Sequence, residues 1–530
     1  VRLRAAVRRA PLHIVRLTRP SPPRRASVDT ERLASPGRPG EASETHASGS
    51  VARMTGRDTD APPPTARTGA VAAFGRDHES ATAPATRKQV VSWAMWDWAM
   101  QPFNTVILTF VWVALYLTSR MFLDPSVRES GLLADGSYMN CNESANAGSA
   151  YCQGLTDLSE WWGWANFAAG ILILLLAPVL GQQADARGSK KKWVIGATIA
   201  IALVQFSLFF VEADPKFFWF GAFAVALAAV VGEIGNVSYY AMLSEVSTPK
   251  NVGRVSGLGW GLGYIGGVVA LIVCIPVLFL VGQSEPLAFK LVAVICAVWT
   301  IVFSIPMFRN VPESPSYDST KKVGFLRSYV VLGRSIAELF RTNRPTFWFM
   351  LAAAVYRDGL AGVFAFGAVL AAQGFGFSFL EVIIFGLAAN LVAGVSTLLA
   401  GRIDDAIGPR RLIIFALSGL VVMAFVVYAL RDLGTIVFWI CGLLLCAFVG
   451  PTQASSRSLL TRLTPPSQQG TIFGLYATTG RVASFLSPLA WSLFLAWFGG
   501  IVYGVLGIAV VLLIGLVLLL CVRFPKDVGA

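Results

Sequence analysis

Twelve stretches of about twenty or more mostly apolar residues run along the chain. They lie at roughly 91–121, 159–181, 193–212, 217–242, 255–282, 288–308, 346–373, 378–401, 411–430, 434–456, 471–498 and 501–523. Lipid offers nothing to an unpaired backbone group, so each such stretch reads as a spanning helix. None alternates apolar and polar at every second position, as the strands of a membrane barrel do. The pattern therefore predicts an all-α polytopic membrane protein with helices 1–12. Two polar segments between them are long, 123–157 and 309–344, and the first 88 residues lack any apolar run of signal-peptide length. This predicts a tail over 1–88, one half over 89–308, a linker over 309–344, a second half over 345–524 and a short end over 525–530.

Composition sharpens the class. The chain of 530 residues is 55% hydrophobic by residue type and 14% charged, with a mean hydropathy of +0.62; soluble domains carry about 25% charged residues. A soluble enzyme is excluded, and a nucleic-acid partner is argued against. The net charge of +13 sits mostly in the tail, which holds 16 Lys/Arg against 8 Asp/Glu and, rich in Ser, Pro and Ala, reads as disordered. The opening Val1, with the first methionine at Met54, fits a start codon read literally as valine or a true start near Met54. With both ends in the cytoplasm, the inside loops collect twenty Lys and Arg, among them Arg187, Lys190, Lys191, Arg254, Arg410, Arg411, Arg457 and Arg462. The outside loops then hold Arg128, Lys216, Lys290 and Arg431, so both termini are expected inside.

The membrane part has no histidine: His13, His46 and His78 are all in the tail. No metal site, cofactor or Ser–His nucleophile pair is expected there. The absence of a Gly-rich Lys-Ser/Thr phosphate loop argues against ATP hydrolysis. Five of seven cysteines lie in helices as small apolar fillers. Cys141 and Cys152 share the long outside loop and are a candidate disulfide.

The chain repeats itself. Gly181, Asp185, Gly188, Lys190 and Lys191 between helices 2 and 3 recur as Gly401, Asp405, Gly408, Arg410 and Arg411 between helices 8 and 9, an offset of 220. Leu243 to Pro249 with Gly253 and Gly257 recurs 217 residues later as Leu460 to Pro466 with Gly470 and Gly474. Trp96-Asp97 with Phe103 matches Arg357-Asp358 with Phe364 at an offset of 261. Two pseudo-symmetric halves of six helices follow.

The Gly-x-x-x-Asp-x-x-Gly-x-Lys/Arg-Lys/Arg loop, present twice, resembles the signature of the major facilitator superfamily, whose parallel six-helix halves rock around a midplane site. Ser92 to Ala99, Gly253 to Tyr264, Tyr356 to Gly359, Phe473 to Tyr476 and Gln453 to Leu459 resemble the vacuole-effluxer (autophagy-related amino-acid effluxer) family, in a bacterial-type variant marked by Trp96-Asp97-Trp98. The resemblance covers roughly 90–525. It implies a transporter, with amino acids the first guess for substrate and with the loop aspartates holding the cytoplasmic side shut. The fungal members are associated with release of amino acids from the vacuole; for this bacterial-type chain the plasma membrane is the expected location.

An ionisable group in a spanning helix is costly enough to mark a functional candidate. Asp97 precedes Pro102 and Asn104 in helix 1. Asp358 lies about 20 Å beyond Arg344 in helix 7, at 1.5 Å per residue, with Arg357 beside it. Their matching places suggest that both carboxylates face the central cleft and include a proton-coupling group, or else that each is held by an arginine or a backbone amine. Glu233 and Asn236 share a face of helix 4. Asn390, Gln453 and Arg481 are the comparable insertions in the second half, Arg481 deep enough to need an acidic partner or an anionic substrate. Asp185, Arg187, Asp405 and the basic residues after them, with Glu245 and Arg254, read as a cytoplasmic gate. The seven glycines from Gly253 to Gly267 read as close helix packing. The functional expectation is a monomeric, proton-coupled secondary transporter for efflux or exchange of a small molecule. A drug or sugar exporter of the same fold, or a transport-inactive receptor or lipid-handling protein, are the alternatives.

Overall fold

The computed structural model describes residues 85–139, 148–187, 189–282, 285–313, 325–377, 379–498 and 501–524. The tail up to residue 84, Cys141, Gly188 and the end 525–530 lie outside them, as do the side chains of Asp185 and Arg187. Among the described residues, twelve helices are long and apolar enough to cross a membrane, and there is one isolated β-bridge, Leu132 to Tyr138.

Helices 1–6 span Arg87–Leu117, Ala150–Arg187, Lys190–Phe210, Phe218–Ala241, Val252–Val281 and Pro286–Asn310. Helices 7–10 span Arg344–Val369, Phe379–Ile407, Pro409–Ala429 and Thr435–Leu463. Helix 11 consists of two segments, Gln469–Ala483 and Leu486–Phe498, and helix 12 is Gly504–Cys521. A linker helix, Phe325–Thr342, lies between the halves in sequence. There are two apolar cores, one made of first-half residues and one that is mostly second-half but takes in Ile173 and Val237 of helices 2 and 4. Trp93, Trp96, Ile201, Val225 and Phe289 belong to the first, and Phe349, Leu360, Ile413, Phe438 and Leu512 to the second.

Two sequence expectations change here. Helix 11 is broken at Ser484–Phe485, where the sequence shows one apolar run. Helix 1 leaves α geometry after Pro102 and continues as wide π turns over Phe103–Phe110 and Trp112–Leu117. Helix 7 does the same in its last turn, Leu370–Gly374. Proline removes a backbone donor and crowds the preceding turn, and such widened turns collect at functional sites.

The halves meet along two seams. Helix 5 packs on helix 8 with almost no side chains between. A Cβ on Gly257 would sit 2.8 Å from the carbonyl oxygen of Thr397, and one on Gly261 would reach Leu398 and the Gly394 carbonyl. Gly259, Gly263, Gly266 and Gly267 face helix 1 instead. The glycine run thus serves two close contacts on two faces. Along the other seam, Gly181 lies against the Gly470 carbonyl, and Gly474 against Ala177 and Pro178. Pro178 has no N–H for the Leu174 carbonyl one turn back; the Thr478 hydroxyl of helix 11 donates to that oxygen at 3.4 Å.

Candidate functional site

Helix 1 is set in rotation by its tryptophans. Trp93 Nε1 donates to the Tyr239 carbonyl of helix 4 at 3.3 Å, and Trp96 Nε1 to Thr198 Oγ1 of helix 3 at 2.9 Å. Trp98 stacks on Trp299 of helix 6, centroids 5.7 Å apart. With three faces spoken for, Asp97 is left pointing at helices 5 and 10. The Tyr239 hydroxyl donates to its Oδ2 at 2.9 Å. Arg457 Nη1 of helix 10 stands 3.6 Å from the same oxygen, with side chains 2% (Arg457) and 16% (Asp97) exposed.

Arg457 is the residue that sequence reasoning misplaced. It stood among the basic loop residues, yet it lies about 9 Å inside the end of helix 10, at 1.5 Å per residue. It reaches across into the first half. Its Nε donates to Ser256 Oγ at 3.0 Å and its Nη2 to the Ser256 carbonyl at 2.7 Å. Ser256 Oγ in turn donates to the Ala454 carbonyl of helix 10 at 2.7 Å. The guanidinium lies 4.9 Å from the Tyr240 ring centroid and 5.2 Å from that of Trp93, a cation–π setting that offsets part of its burial. Gly259 makes room for the group: a Cβ there would stand 2.7 Å from Asp97 Oδ2 and 3.0 Å from both Arg457 Nη2 and the Tyr239 hydroxyl. The signal was present in the chain, since an arginine inside Gln453 to Leu459 cannot reach water from a helix interior without a partner.

Asp358 does not mirror Asp97. It is buried in the second half, and its Oδ2 accepts from the backbone N–H of Ser487 at 2.6 Å. Ser487 opens the second segment of helix 11, where the first N–H groups have no partner within the helix. Of the two expectations for Asp358, a cleft-facing carboxylate or one held by a backbone amine, the contact present is the second, at the break in helix 11. Arg357, pointing elsewhere as expected for adjacent helix positions, donates from Nη1 to the Tyr476 carbonyl at 2.9 Å and lies 4.0 Å from that ring's centroid.

The other candidates divide similarly. Asn236 Nδ2 donates to Glu233 Oε2 at 3.3 Å, so the pair shares a face, half-buried. Gln453 accepts from the Tyr264 hydroxyl of helix 5 at 2.7 Å, a second polar link between the halves. Asn390 Nδ2 is turned back to the Gly386 carbonyl of its own helix, and Asn104 is exposed. The Arg481 side chain is exposed and forms no hydrogen bond or ion pair among the described residues, so the acidic partner expected for it is not found there. It lies on the face of helix 11 that carries Gly470, Gly474 and Thr478 against helix 2.

At the basic end the halves are bolted together. Asp405 of helix 8 accepts from the backbone N–H groups of Gly253 (2.8 Å) and Arg254 (3.0 Å), capping helix 5 of the other half. Arg254 Nε stands 3.9 Å from Asp405. Arg462 binds both Asp404 (3.1 Å) and Asp405 (3.3 Å), and Ser458 donates to Asp404. Asp404 was not among the sequence candidates, and Arg462 was counted only with the basic loop residues, although it stands 217 residues after Glu245, in register with the repeat. Glu245 pairs with Lys190 at 3.1 Å, and Lys190 also donates to the Pro466 carbonyl of the second half. Lys191 ties helix 3 to the Val311 carbonyl, and Arg410 ties helix 9 to the carbonyls of Leu520 and Val522. Gly401 lies against the Gly253 carbonyl, Gly408 adopts φ +88° at the turn into helix 9, and Arg411 is exposed. Cys152 is disulfide-bonded; its expected partner Cys141 lies outside the described residues.

Twelve spanning helices in two six-helix halves that meet at glycine seams define a transporter of the major facilitator superfamily. The human organic anion transporter MFSD10 (TETRAN) superposes with a TM-score of 0.62 at 16% identity, over 82% of this chain and 100% of that one. The Escherichia coli fucose:proton symporter FucP superposes with a TM-score of 0.56 at 13% identity, over 83% and 98%. Within that class, the chain belongs to the Atg22-like vacuole effluxer family, whose model matches residues 244–528, over half of its length. The uncharacterised MFS-type transporter YxiO of Bacillus subtilis (strain 168) is 27% identical over 444 residues, 82% of this chain and 94% of its own. Autophagy-related protein 22 of Cryptococcus neoformans var. neoformans serotype D (strain B-3501A) is 26% identical over 281 residues, 49% of this chain and 51% of its own. The match thus spans about half of that fungal relative.

Proposed function

We propose that this chain is a proton-coupled secondary transporter that exports or exchanges a small metabolite, amino acids first. In this reading it works as a monomer in the plasma membrane, with both termini in the cytoplasm. The basic end is then the cytoplasmic end, and the sealed seams mark an inward-closed state. The observation that carries the reading is Asp97: a titratable carboxylate, partly open to solvent, that is paired with Arg457 of the other half at the surface where the halves must part. Protonation of Asp97 removes the charge that faces the guanidinium, and so loosens a contact made only while the cytoplasmic side is shut. Arg357 and the unpaired Arg481 suit a substrate carboxylate, and Glu233 with Asn236 suits an ammonium. Asp358 has a structural role at the helix 11 break and is not the coupling group.

The test is uptake of a labelled amino-acid mixture into proteoliposomes under an imposed pH gradient, with wild type beside Asp97→Asn. Gradient-driven uptake by wild type that falls to the passive level in Asp97→Asn supports the reading. Gradient-driven uptake that survives in Asp97→Asn sinks the coupling role. No uptake by folded wild type in either gradient direction sinks the amino-acid substrate.

A further inference from the structure

Away from the seams, a groove of about 430 Å³ lies between the start of helix 7 and the end of helix 12. Its wall is apolar: Trp348, Leu351 and Leu518 line it, with Cys521 beside them. Its mouth is basic, formed by Arg344 and Arg523. Both arginines are exposed, and neither forms a hydrogen bond or ion pair among the described residues. Arg344 lies over the Phe340 ring, 5.7 Å from its centroid. Trp348 is 45% exposed, where a tryptophan facing a solvated surface would be poorly placed and one at a membrane interface would not.

The linker helix enters helix 7 at this mouth and is patterned in the same way. Its Leu339 is buried, and its Tyr329 hydroxyl donates to the Leu175 carbonyl of helix 2, about 9 Å along that helix from Gly181. Leu175 is itself 47% exposed on the outer flank of helix 2. The linker helix therefore lies along the side of the bundle and does not cap its end. At 100° per residue, Ile336, Phe340, Ala337 and Val330 form one exposed apolar flank. Arg327, Arg334 and Arg341, spaced by seven, form a single line beside it. No hydrogen bond or ion pair is formed by the side chains of these three arginines among the described residues. An apolar flank bordered by a line of arginines is the arrangement of a helix lying in the headgroup layer.

We propose that the groove is a binding site for an anionic phospholipid: its acyl chain lies on Trp348, Leu351 and Leu518, and its phosphate headgroup is held by Arg344 and Arg523. The linker helix, embedded in the same leaflet, forms the rim. A zwitterionic lipid meets the same apolar wall but brings its own ammonium to two uncompensated guanidinium groups, so the mouth selects for net negative charge. Each arginine near an anionic lipid surface favours binding about fivefold.

Cys521 supplies the readout, because it lines the groove and is an exposed free thiol. The full chain in detergent is alkylated with N-ethylmaleimide in mixed micelles containing phosphatidylglycerol, phosphatidylcholine or neither, and with inorganic phosphate as a separate arm. Phosphatidylglycerol is expected to slow Cys521 alkylation several-fold more than phosphatidylcholine does at equal mole fraction, and phosphate to have no effect. In Arg344→Gln and Arg523→Gln the concentration of phosphatidylglycerol giving half protection rises by about fivefold each; Arg344→Lys retains most of the preference. Equal protection by the two lipids overturns the anionic selectivity. Protection by phosphate alone assigns the mouth to a soluble anion and overturns the lipid. No protection by any of them overturns the site. Because the measurement uses no transport substrate, it stands apart from the coupling test.

Discussion

Arg457→Gln is the substitution whose consequence can be worked furthest. Arg457 contributes two hydrogen bonds to Ser256 and a charge 3.6 Å from Asp97. Hydrogen bonds involving a charged group are worth about 1.5–3 kcal/mol each, and at an effective dielectric of 20 the charge pair attracts by about 4–5 kcal/mol. Burial of both ions takes back much of that sum. The applicable scale is the cost of removing one partner of a buried pair, about 3–5 kcal/mol. Both partners of Arg457, Ser256 and Asp97, lie in the other half, so the loss falls on the state in which the basic end is sealed. Asp97, stranded there without its counter-ion, is solvated once that end opens. A shift of about 3–5 kcal/mol changes the ratio of sealed to open by about two to four orders of magnitude, close to the ~5.5 kcal/mol that inverts a 99:1 equilibrium. The assay is electron–electron resonance between nitroxides at Lys250→Cys and Arg402→Cys, both exposed and in opposite halves, on a Cys521→Ser background. Wild type is expected to give one short distance, and Arg457→Gln a dominant longer one. Arg457→Lys falls between, since it keeps the charge but loses the fork that reaches Ser256. An unchanged distance distribution in a folded Arg457→Gln protein would refute the reasoning.

Two further outcomes follow from other contacts. Gly257→Val places branched carbons where a Cβ alone would stand 2.8 Å from the Thr397 carbonyl and 2.9 Å from Gly401 Cα; backbone cannot yield there as a side chain would, so the thermal midpoint in detergent should fall, by an overpacking cost of about 1–3 kcal/mol, while Gly196→Ala, with open space around it, leaves it unchanged. Asp358→Ala strands the Ser487 N–H and should cost about 1–3 kcal/mol of stability, whereas Asp358→Asn keeps an acceptor, costs less and preserves gradient-driven uptake; loss of the gradient response in a stable Asp358→Asn protein would return the coupling role to helix 7.

Much of the architecture is legible in one dimension. Hydropathy over a window is a local property, and a spanning helix satisfies its backbone within its own segment, so the twelve spans needed no knowledge of neighbours. Repeat spacing is equally local, and the offsets of 220 and 217 place Asp405 and Arg462 in register with Asp185 and Glu245 before any contact is known. Yet equivalence is not identity of partner. Glu245 meets Lys190 of its own half, while Arg462, at the matching position, meets two aspartates of helix 8. The break in helix 11 escaped notice because apolar residues run through it, and its marker is a carboxylate more than a hundred residues earlier.

The charged residues within the spans show the division between sequence and tertiary structure most clearly. Their presence was evident, because an ion among apolar residues is conspicuous in any window. Which of them meet was not. Asp97 and Arg457 are 360 positions apart, and their pairing depends on the rotation of helix 1, set by three tryptophans against three different helices, and on the absence of a side chain at Gly259. Rotation and approach are properties of packed surfaces. The sequence by itself determined that this chain crosses a membrane twelve times in two related halves with costly charges inside; only the packing of those halves decided that Asp97 faces the seam, that Asp358 is a cap, and that an arginine counted with the loops holds the halves together.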